Sequence, residues 1–253
     1  MILGAQTYTI RQHTQTAADF DASMAKIAQI GYTQVQLSAV GPILAEELRS
    51  ICDLHGLQIV LTHTSPDRIL NETEAVIREH DILGCKYVGI GAMPKEYRTG
   101  ETVAQFAQDF TLPARKLRDA GKLLMYHNHN FEWERISGKT KLIDVLLETM
   151  PADLMGVTLD TYWVQAAGAD IMTWIELLRD RIPCVHLKDM TVCGMQSRFA
   201  PVGEGNIDFP RILARLAEIG KTEHILVEQD DGYGADMFEC LRTSYMNVKE
   251  MGY

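Results

Sequence analysis

The chain has 253 residues, 46% of them hydrophobic, and a formal net charge of -10 from 34 acidic and 24 basic side chains. That acidity argues against affinity for a phosphate backbone, which needs a basic surface, so nucleic acid is not an expected partner. No run of about 18 apolar residues and no basic segment leading into an apolar one at the start is present, so neither a membrane span nor a secretory signal is read.

Five cysteines, Cys52, Cys85, Cys184, Cys193 and Cys240, are widely spaced and form no Cys-x-x-Cys pair. They fit reduced thiols in a cytoplasmic protein better than a disulfide framework or a zinc knuckle. No Pro, Gly or Ser cluster divides the chain, so residues 1–253 are read as one domain.

In chain order, the apolar run Ile2 to Tyr8 is a first strand. Thr16-x-x-Asp19 resembles a capping box, and Phe20, Met24, Ile27 and Ala28 continue at helical spacing to Gly31. Val35 to Leu37 is a second strand, and Leu44, Leu48, Ile51 and Leu54 mark a helix stopped by Gly56. Leu57 to Thr62 gives a third strand with His63 at its end. A helix from about Asn71 to Leu83 leads to strand four, Tyr87 to Ile90, where Gly89 and Gly91 leave the strand mouth open. The next helix carries Phe106, Phe110, Leu117 and Ala120, and Pro113 is expected to kink or divide it.

Strand five is Leu123 to Tyr126, followed by a helix through Leu142, Leu146, Leu147 and Met150. Strand six is Met155 to Leu159, its helix marked by Ile171, Ile175 and Leu178, and strand seven is Pro183 to Leu187. The longest connection, Asp189 to about Ile207, contains Gly203-Glu204-Gly205 and is expected to be a functional loop. A helix with Ile212, Leu213, Leu216 and Ile219, strand eight from His224 to Val227, and a helix with Phe238, Leu241, Tyr245 and Val248 complete the chain. Eight strand-then-helix units of roughly thirty residues match a (β/α)8 TIM barrel. A doubly wound sheet would carry a glycine-rich phosphate turn after its first strand, and Tyr8-Thr9-Ile10-Arg11 offers none.

Four consecutive strands end in groups able to bind a metal: His127, Asp160, His186 and Glu228. In a barrel, strands five to eight are neighbours, so these tips share one bowl. Two imidazoles and two carboxylates suit Mn2+, Fe2+, Co2+ or Zn2+, and the lack of a thiolate weighs against a closed structural zinc site. A divalent cation that chelates a carbonyl and an adjacent hydroxyl acidifies the intervening C–H bond, which is isomerase or epimerase chemistry. Glu228 is read as both ligand and base, with Glu132 and Glu204 as further carboxylates placed to transfer protons. Lys188 is a cation beside the substrate that polarises a carbonyl or holds a phosphate, unless strand alternation turns it away from the bowl. Trp163 is placed as a wall of the bowl, and His63 sits at the mouth of strand three.

These residues resemble the xylose isomerase-like barrels, a superfamily of sugar and sugar-phosphate isomerases, epimerases and related dehydratases. The resemblance spans the whole chain. It rests on Gln6-x-Tyr8-Thr9-x-Arg11, Gly31-Tyr32, Tyr126-His127-Asn128-His129, His186-Leu187-Lys188-Asp189 and Gly203-Glu204-Gly205-x-x-Asp208. It implies a divalent metal, manganese first and Zn2+, Co2+, Fe2+ or Mg2+ as alternatives, held by Asp160, His186 and Glu228; at strand five His127 is placed as the fourth ligand ahead of His129, which lies on the same face two residues on and is the alternative. Tyr8, His63, His129, Trp163 and Glu204 are read as substrate contacts, and Glu228, Lys188 and Glu132 as catalytic.

The resemblance departs at strand five, where characterised epimerases carry a proton-transferring glutamate in the place of His127. The expected activity is a sugar or sugar-phosphate isomerase or epimerase. The rival is a lyase or dehydratase acting on a keto-sugar, keto-glycoside or inosose, and remoter alternatives are an abasic-site endonuclease and a non-catalytic sugar-binding barrel. A small carbohydrate is the expected partner, with no membrane, and homo-oligomers are common in such families.

Overall fold

In the computed structural model, which describes residues 1–253, the apolar runs become strands and the capped amphipathic segments become helices around them. The first half comprises β1 (Ile2–Gln6), α1 (Ala17–Ile30), β2 (Gln34–Leu37), α2 (Ala45–Leu54), β3 (Gln58–His63), α3 (Pro66–Asn71), α4 (Thr73–Leu83), β4 (Tyr87–Ile90), α5 (Val103–Asp119) and β5 (Leu123–His127). A small ribbon follows, β6 (Arg135–Ser137) with β7 (Thr140–Lys141). Then come α6 (Leu142–Thr149), β8 (Met155–Asp160), α7 (Thr161–Ala166), α8 (Ile171–Leu178), β9 (Cys184–Leu187), β10 (Asp189–Cys193), β11 (Gln196–Ala200), α9 (Phe209–Ile219), β12 (His224–Val227) and α10 (Met237–Glu250). Strands β1, β2, β3, β4, β5, β8, β9 and β12 pair in parallel and close on themselves, β1 against β12. No helix is long and apolar enough to cross a membrane.

Barrel strands are buried on both faces, which is why they read as apolar runs without strict alternation. The period of two still decides which residues face the lumen. Lower in the barrel, Leu61, Tyr87, Met125, Cys184 and Leu226 fill the interior with Val60. Gly4 and Gly156 make room for them: a Cβ on Gly4 would lie 2.7 Å from Leu226 Cδ2, and one on Gly156 would lie 2.6 Å from Met125 Sδ. Two residues further along β5, β8, β9 and β12 than the lumen-facing Met125, Thr158, Cys184 and Leu226, the same face presents His127, Asp160, His186 and Glu228 at the carboxyl ends.

Thr16 caps α1 as anticipated, with the Asp19 N–H donating to Thr16 Oγ1 at 3.1 Å, but Asp19 accepts from the Thr16 hydroxyl at 2.7 Å and not from its N–H, so only half of the capping box forms. Three expectations are corrected. The first strand stops at Gln6 because the Gln6 side chain accepts from the Tyr8 N–H and starts a 3-10 helix over Thr7–His13. Helix α5 runs on through Pro113. Phe106, Phe110, Pro113, Ala114 and Leu117 are all buried on its inner face, and that burial outweighs the ~3 kcal/mol disruption of an internal proline. The connection after the seventh barrel strand is largely ordered as the antiparallel hairpin β10–β11.

The rest of that connection is pinned by Asp189, whose carboxylate accepts from the backbone N–H groups of Met190, Gly203, Gly205 and Ile207. Gly205 is required by the close approach, since a Cβ there would sit 2.4 Å from Asp189 Oδ1. Gly203 is required by its φ of +90°.

His80 on α4 is buried between Thr62 Oγ1 and the Val76 carbonyl, each at 2.8 Å, and burial lowers its pKa from 6.5 to about 4. A depressed folded pKa means that its contribution is complete above pH 6.5 and is lost as pH falls through 4. Stability to urea should therefore decline between pH 6.5 and pH 4, and the decline should shrink in His80→Gln, which does not titrate.

Candidate active site

The four strand-end residues come together. His127, Asp160, His186 and Glu228 are all buried, and one donor atom from each lies within 4.8 Å of all the others. Donors bonded to a single ion at about 2.0–2.3 Å fall within roughly 4.6 Å of one another, so the set is assembled close to that limit. Its members approach at 3.2 Å (His127 Nε2 to Asp160 Oδ2), 3.7 Å (His186 Nδ1 to Asp160 Oδ2) and 2.8 Å (His186 Nδ1 to Glu228 Oε2).

Each member is oriented from behind. His127 Nδ1 lies 2.8 Å from the Gly91 carbonyl, which only accepts, so the proton is on Nδ1 and the Nε2 lone pair faces the centre. His186 reverses the roles: Nε2 meets Gln36 Oε1 at 2.7 Å and Nδ1 faces the centre. Asp160 Oδ1 accepts the Trp163 N–H at 3.0 Å as the cap of α7, which leaves Oδ2 for the cluster. Gln6 Nε2 donates to Glu228 Oε1 at 2.9 Å and leaves Oε2 inward.

Three further buried polar atoms gather here without hydrogen-bond partners: His63 Nε2, His129 Nδ1 and Trp163 Nε1. Such atoms are rare in folded proteins and mark a place built for a ligand. The nitrogen and oxygen donors, all aimed inward, fit a divalent cation that takes the place of the proton on His186 Nδ1. The donor set does not choose which one.

Lys188 lies just beyond β9, two residues from His186 and therefore on the same face; alternation turns it into the bowl. Its buried Nζ is 2.6 Å from Asp230 Oδ1, 3.5 Å from Glu228 Oε2 and 3.6 Å from Asp160 Oδ2. Burial opposes its charge, and the three carboxylates outweigh burial and raise its pKa, so it is an ammonium ion. Burial by itself would also raise Asp160 and Glu228, yet Lys188 and the imidazoles hold both carboxylates low. For His186, burial lowers and Glu228 with Asp160 raises; the net effect pushes it up to about 9.

The other anticipated residues divide. His63 and His129 stand beside the cluster, their rings 5.2 and 4.8 Å from that of His127. Trp163 walls the bowl, 5.2 Å from the His129 ring and 5.3 Å from Lys188 Nζ. Tyr8 is half-buried under the Arg11 guanidinium, which also donates to the Asp230 carbonyl.

Two carboxylates point elsewhere. Glu132 is buried behind β5, accepting from the Tyr126 hydroxyl at 2.7 Å and the His129 N–H at 2.9 Å. Tyr126 faces the outer helices, against Phe106, because it alternates with inward His127. Glu132 thus braces the loop that carries His129. Glu204 is exposed and takes a hydrogen bond from Asn247 near the end of α10, which runs back from the bowl toward the opposite face of the barrel.

Sequence reasoning gave no role to Asp230, Gln36, Ser38, Asn128 or Phe199. Asn128 Oδ1 accepts the Asp160 N–H at 3.0 Å, and Phe199, on the hairpin, lies 5.3 Å from Lys188 Nζ. Gln36 was detectable as a polar residue inside an apolar strand. Phe199 carried no signal, because only the hairpin's folding over the bowl brings it there.

With this geometry in place, the class follows. The family model for the xylose isomerase-like TIM barrel matches residues 24–243, and the chain belongs to that family. It is similar to the inosose dehydratase of Geobacillus kaustophilus (strain HTA426), at 23% identity over 249 residues covering 83% of this chain and 80% of that protein. Among solved structures it resembles a sugar phosphate isomerase/epimerase from Parabacteroides distasonis, with a TM-score of 0.82 at 22% identity, covering 98% of this chain and 93% of that one. It also resembles the IOLI protein solved with a bound zinc atom, with a TM-score of 0.72 at 15% identity, covering 99% and 98%.

Two outcomes are expected. Glu132→Ala should lower stability by about 1–3 kcal/mol in urea titrations, by stripping two buried donors of their acceptor, and should leave Mn2+ binding intact in calorimetry. A cation taken up by the cluster must displace the His186 proton, so binding of Zn2+ or Mn2+ near pH 7 should release protons and tighten as pH rises. Calorimetry in buffers of different ionisation enthalpy measures that release, and Asp160→Ala should abolish both uptake and the accompanying rise in melting temperature.

Proposed function

We propose that the protein is a divalent-metal-dependent enzyme that removes the proton next to the carbonyl of a keto-sugar, and so isomerises or epimerises it. The observation that carries this reading is the buried His127, Asp160, His186 and Glu228 set at the carboxyl ends of four neighbouring strands, beside an ammonium group. A divalent cation held by these four residues supplies Lewis acidity toward a carbonyl and a neighbouring hydroxyl. The ion identity is not selected by the donors; manganese and zinc are the first to test.

The chain's own groups do the rest. Glu228, oriented through Oε1 by Gln6, is the base that takes the C–H proton. Lys188, kept charged by Asp160, Glu228 and Asp230, places a fixed positive charge beside the oxygen on which negative charge develops. Trp163 and Phe199 flank Lys188 and close an apolar wall over it, which excludes water and gives a sugar's C–H face a stacking surface.

A second reading is favoured by a specific observation. His127 stands where a second proton-transferring carboxylate would be, and Glu132 is committed to Tyr126 and His129. With one carboxylate base on the reacting side, loss of a β-hydroxyl or aglycone competes with reprotonation. A dehydratase or lyase acting on an inosose or keto-glycoside accommodates this, and similarity to an inosose dehydratase is consistent with it.

Incubation of the Mn2+-loaded protein with ketopentoses, ketohexoses and an inosose in deuterated water, followed by NMR and mass analysis, separates the two. Isomerisation places deuterium in an isomeric sugar; elimination gives a product lighter by one water or aglycone. In either case Glu228→Gln should slow carbon-bound exchange by at least about a hundredfold. Absence of exchange with all of these compounds would remove the proton-abstraction reading.

A further inference from the structure

Four imidazoles converge on the bowl, and the outer nitrogens of three of them, His127, His186 and His63, have chemically different partners. His127 rests on a backbone carbonyl, which only accepts and fixes one tautomer, and His186 donates from Nε2 to the Gln36 amide oxygen. His63 rests on a hydroxyl: its Nδ1 is 3.0 Å from Ser38 Oγ. A hydroxyl accepts from Nδ1–H or donates to a bare Nδ1, so both neutral tautomers of His63 are satisfied from behind.

The arrangement is built rather than incidental. Ser38 is fixed at the end of β2 by two 2.8 Å bonds to Thr7, whose hydroxyl donates to the Ser38 carbonyl and accepts its N–H. That leaves Ser38 Oγ for the imidazole. The His63 ring lies in a slot left by two glycines of the neighbouring strand: a Cβ on Gly91 would be 3.0 Å from Nδ1, and one on Gly89 would be 3.2 Å from Cδ2. Its far nitrogen, Nε2, is buried without a partner. The ring lies 5.2 Å from His127 and 5.8 Å from His186, yet His63 is outside the four-donor set. It flanks the two imidazole ligands as Lys188 flanks the two carboxylates.

We propose that Ser38 and His63 form a two-way hydrogen-bonding arm: His63 Nε2 touches a substrate oxygen, and Ser38 positions it in whichever tautomer that oxygen requires. The purpose of the arm rests on the keto-sugar reading above, in which one oxygen is a carbonyl on one side of the reaction and a hydroxyl on the other. Against a carbonyl or enolate oxygen, His63 takes the Nε2–H form and Ser38 donates to Nδ1. Against a hydroxyl that donates to the ring, His63 takes the Nδ1–H form and Ser38 accepts. The ring remains uncharged in both, and no proton leaves the arm for the substrate carbon. Ser38 acts only through His63 and is a positioning residue.

The test uses the Zn2+-loaded protein and glycolohydroxamate, a small chelating mimic of an enediolate, with both affinities measured by calorimetry. His63→Ala should retain Zn2+ affinity and weaken the hydroxamate by about tenfold or more, the size of a lost hydrogen bond in a buried site. Ser38→Ala should weaken it by a similar factor, while Ser38→Thr, which keeps the hydroxyl, should restore binding to within about threefold of wild type. Hydroxamate affinity unchanged in His63→Ala, loss of Zn2+ in that variant, failure of the wild type to bind hydroxamate, or equal effects of Ser38→Ala and Ser38→Thr would each overturn the proposal. If hydroxamate binding follows the expected pattern while no keto-sugar exchanges, the arm stands and the proton-abstraction reading falls.

Discussion

Two carboxylates, Asp160 and Glu228, are buried side by side at one end of a closed barrel, and the surrounding structure compensates for them. Unpaired, each buried charge would be strongly destabilising. Lys188 sits within 3.6 Å of both and His186 within 3.7 Å of both. Asp230 in turn balances Lys188. A cluster so dense in charge is poor material for stability alone, since apolar residues of the same volume would pack at lower cost. What it offers is a set of donor atoms already facing one point, which lets a divalent cation take the place of the His186 proton with little rearrangement of side chains.

Around this cluster lies a ring of neutral residues that determine where protons reside. The Gly91 carbonyl, Gln36 and Gln6 are distant in sequence and belong to three different strands or their ends. Each takes up the outward-facing atom of one member of the cluster. Second partners of this kind set the tautomer and rotation of a ligand as firmly as the ligand bond does. Ser38 differs from them in offering a hydroxyl, and that difference separates His63 from the two imidazoles of the donor set.

The bowl has a hard floor and an added wall. The floor belongs to the barrel and is held by strand pairing on both sides. The wall is supplied by α7, which carries Trp163, and by the hairpin β10–β11, which carries Phe199; their rings lie 6.2 Å apart. Asp189 ties the return of that hairpin to the barrel through four backbone N–H groups, so the wall is part of the rigid structure. In (β/α)8 barrels the segments that follow the strands carry the variation on a common scaffold, and this wall is such a segment.

The sequence by itself determined the architecture and the four donors. Apolar runs, capped helices and glycine stops are local signals, and the period of two carries Met125 to His127 and Cys184 to His186 without further information. The side on which Lys188 falls was open in the sequence, and the structure turns it into the bowl, its Nζ 3.6 Å from Asp160 Oδ2. What only the tertiary structure decided were relations across strands and between layers. Glu132 and Glu204 are carboxylates near the right strand ends in sequence, but Tyr126 draws one behind β5 and Asn247 draws the other toward α10. Gln36, Ser38 and Asp230 acquire their roles from partners 150, 25 and 42 positions away, which no local pattern encodes. Local periodicity fixes the direction of a side chain from its own strand. Which atom it meets there is set by barrel closure, and closure is a property of all eight strands together.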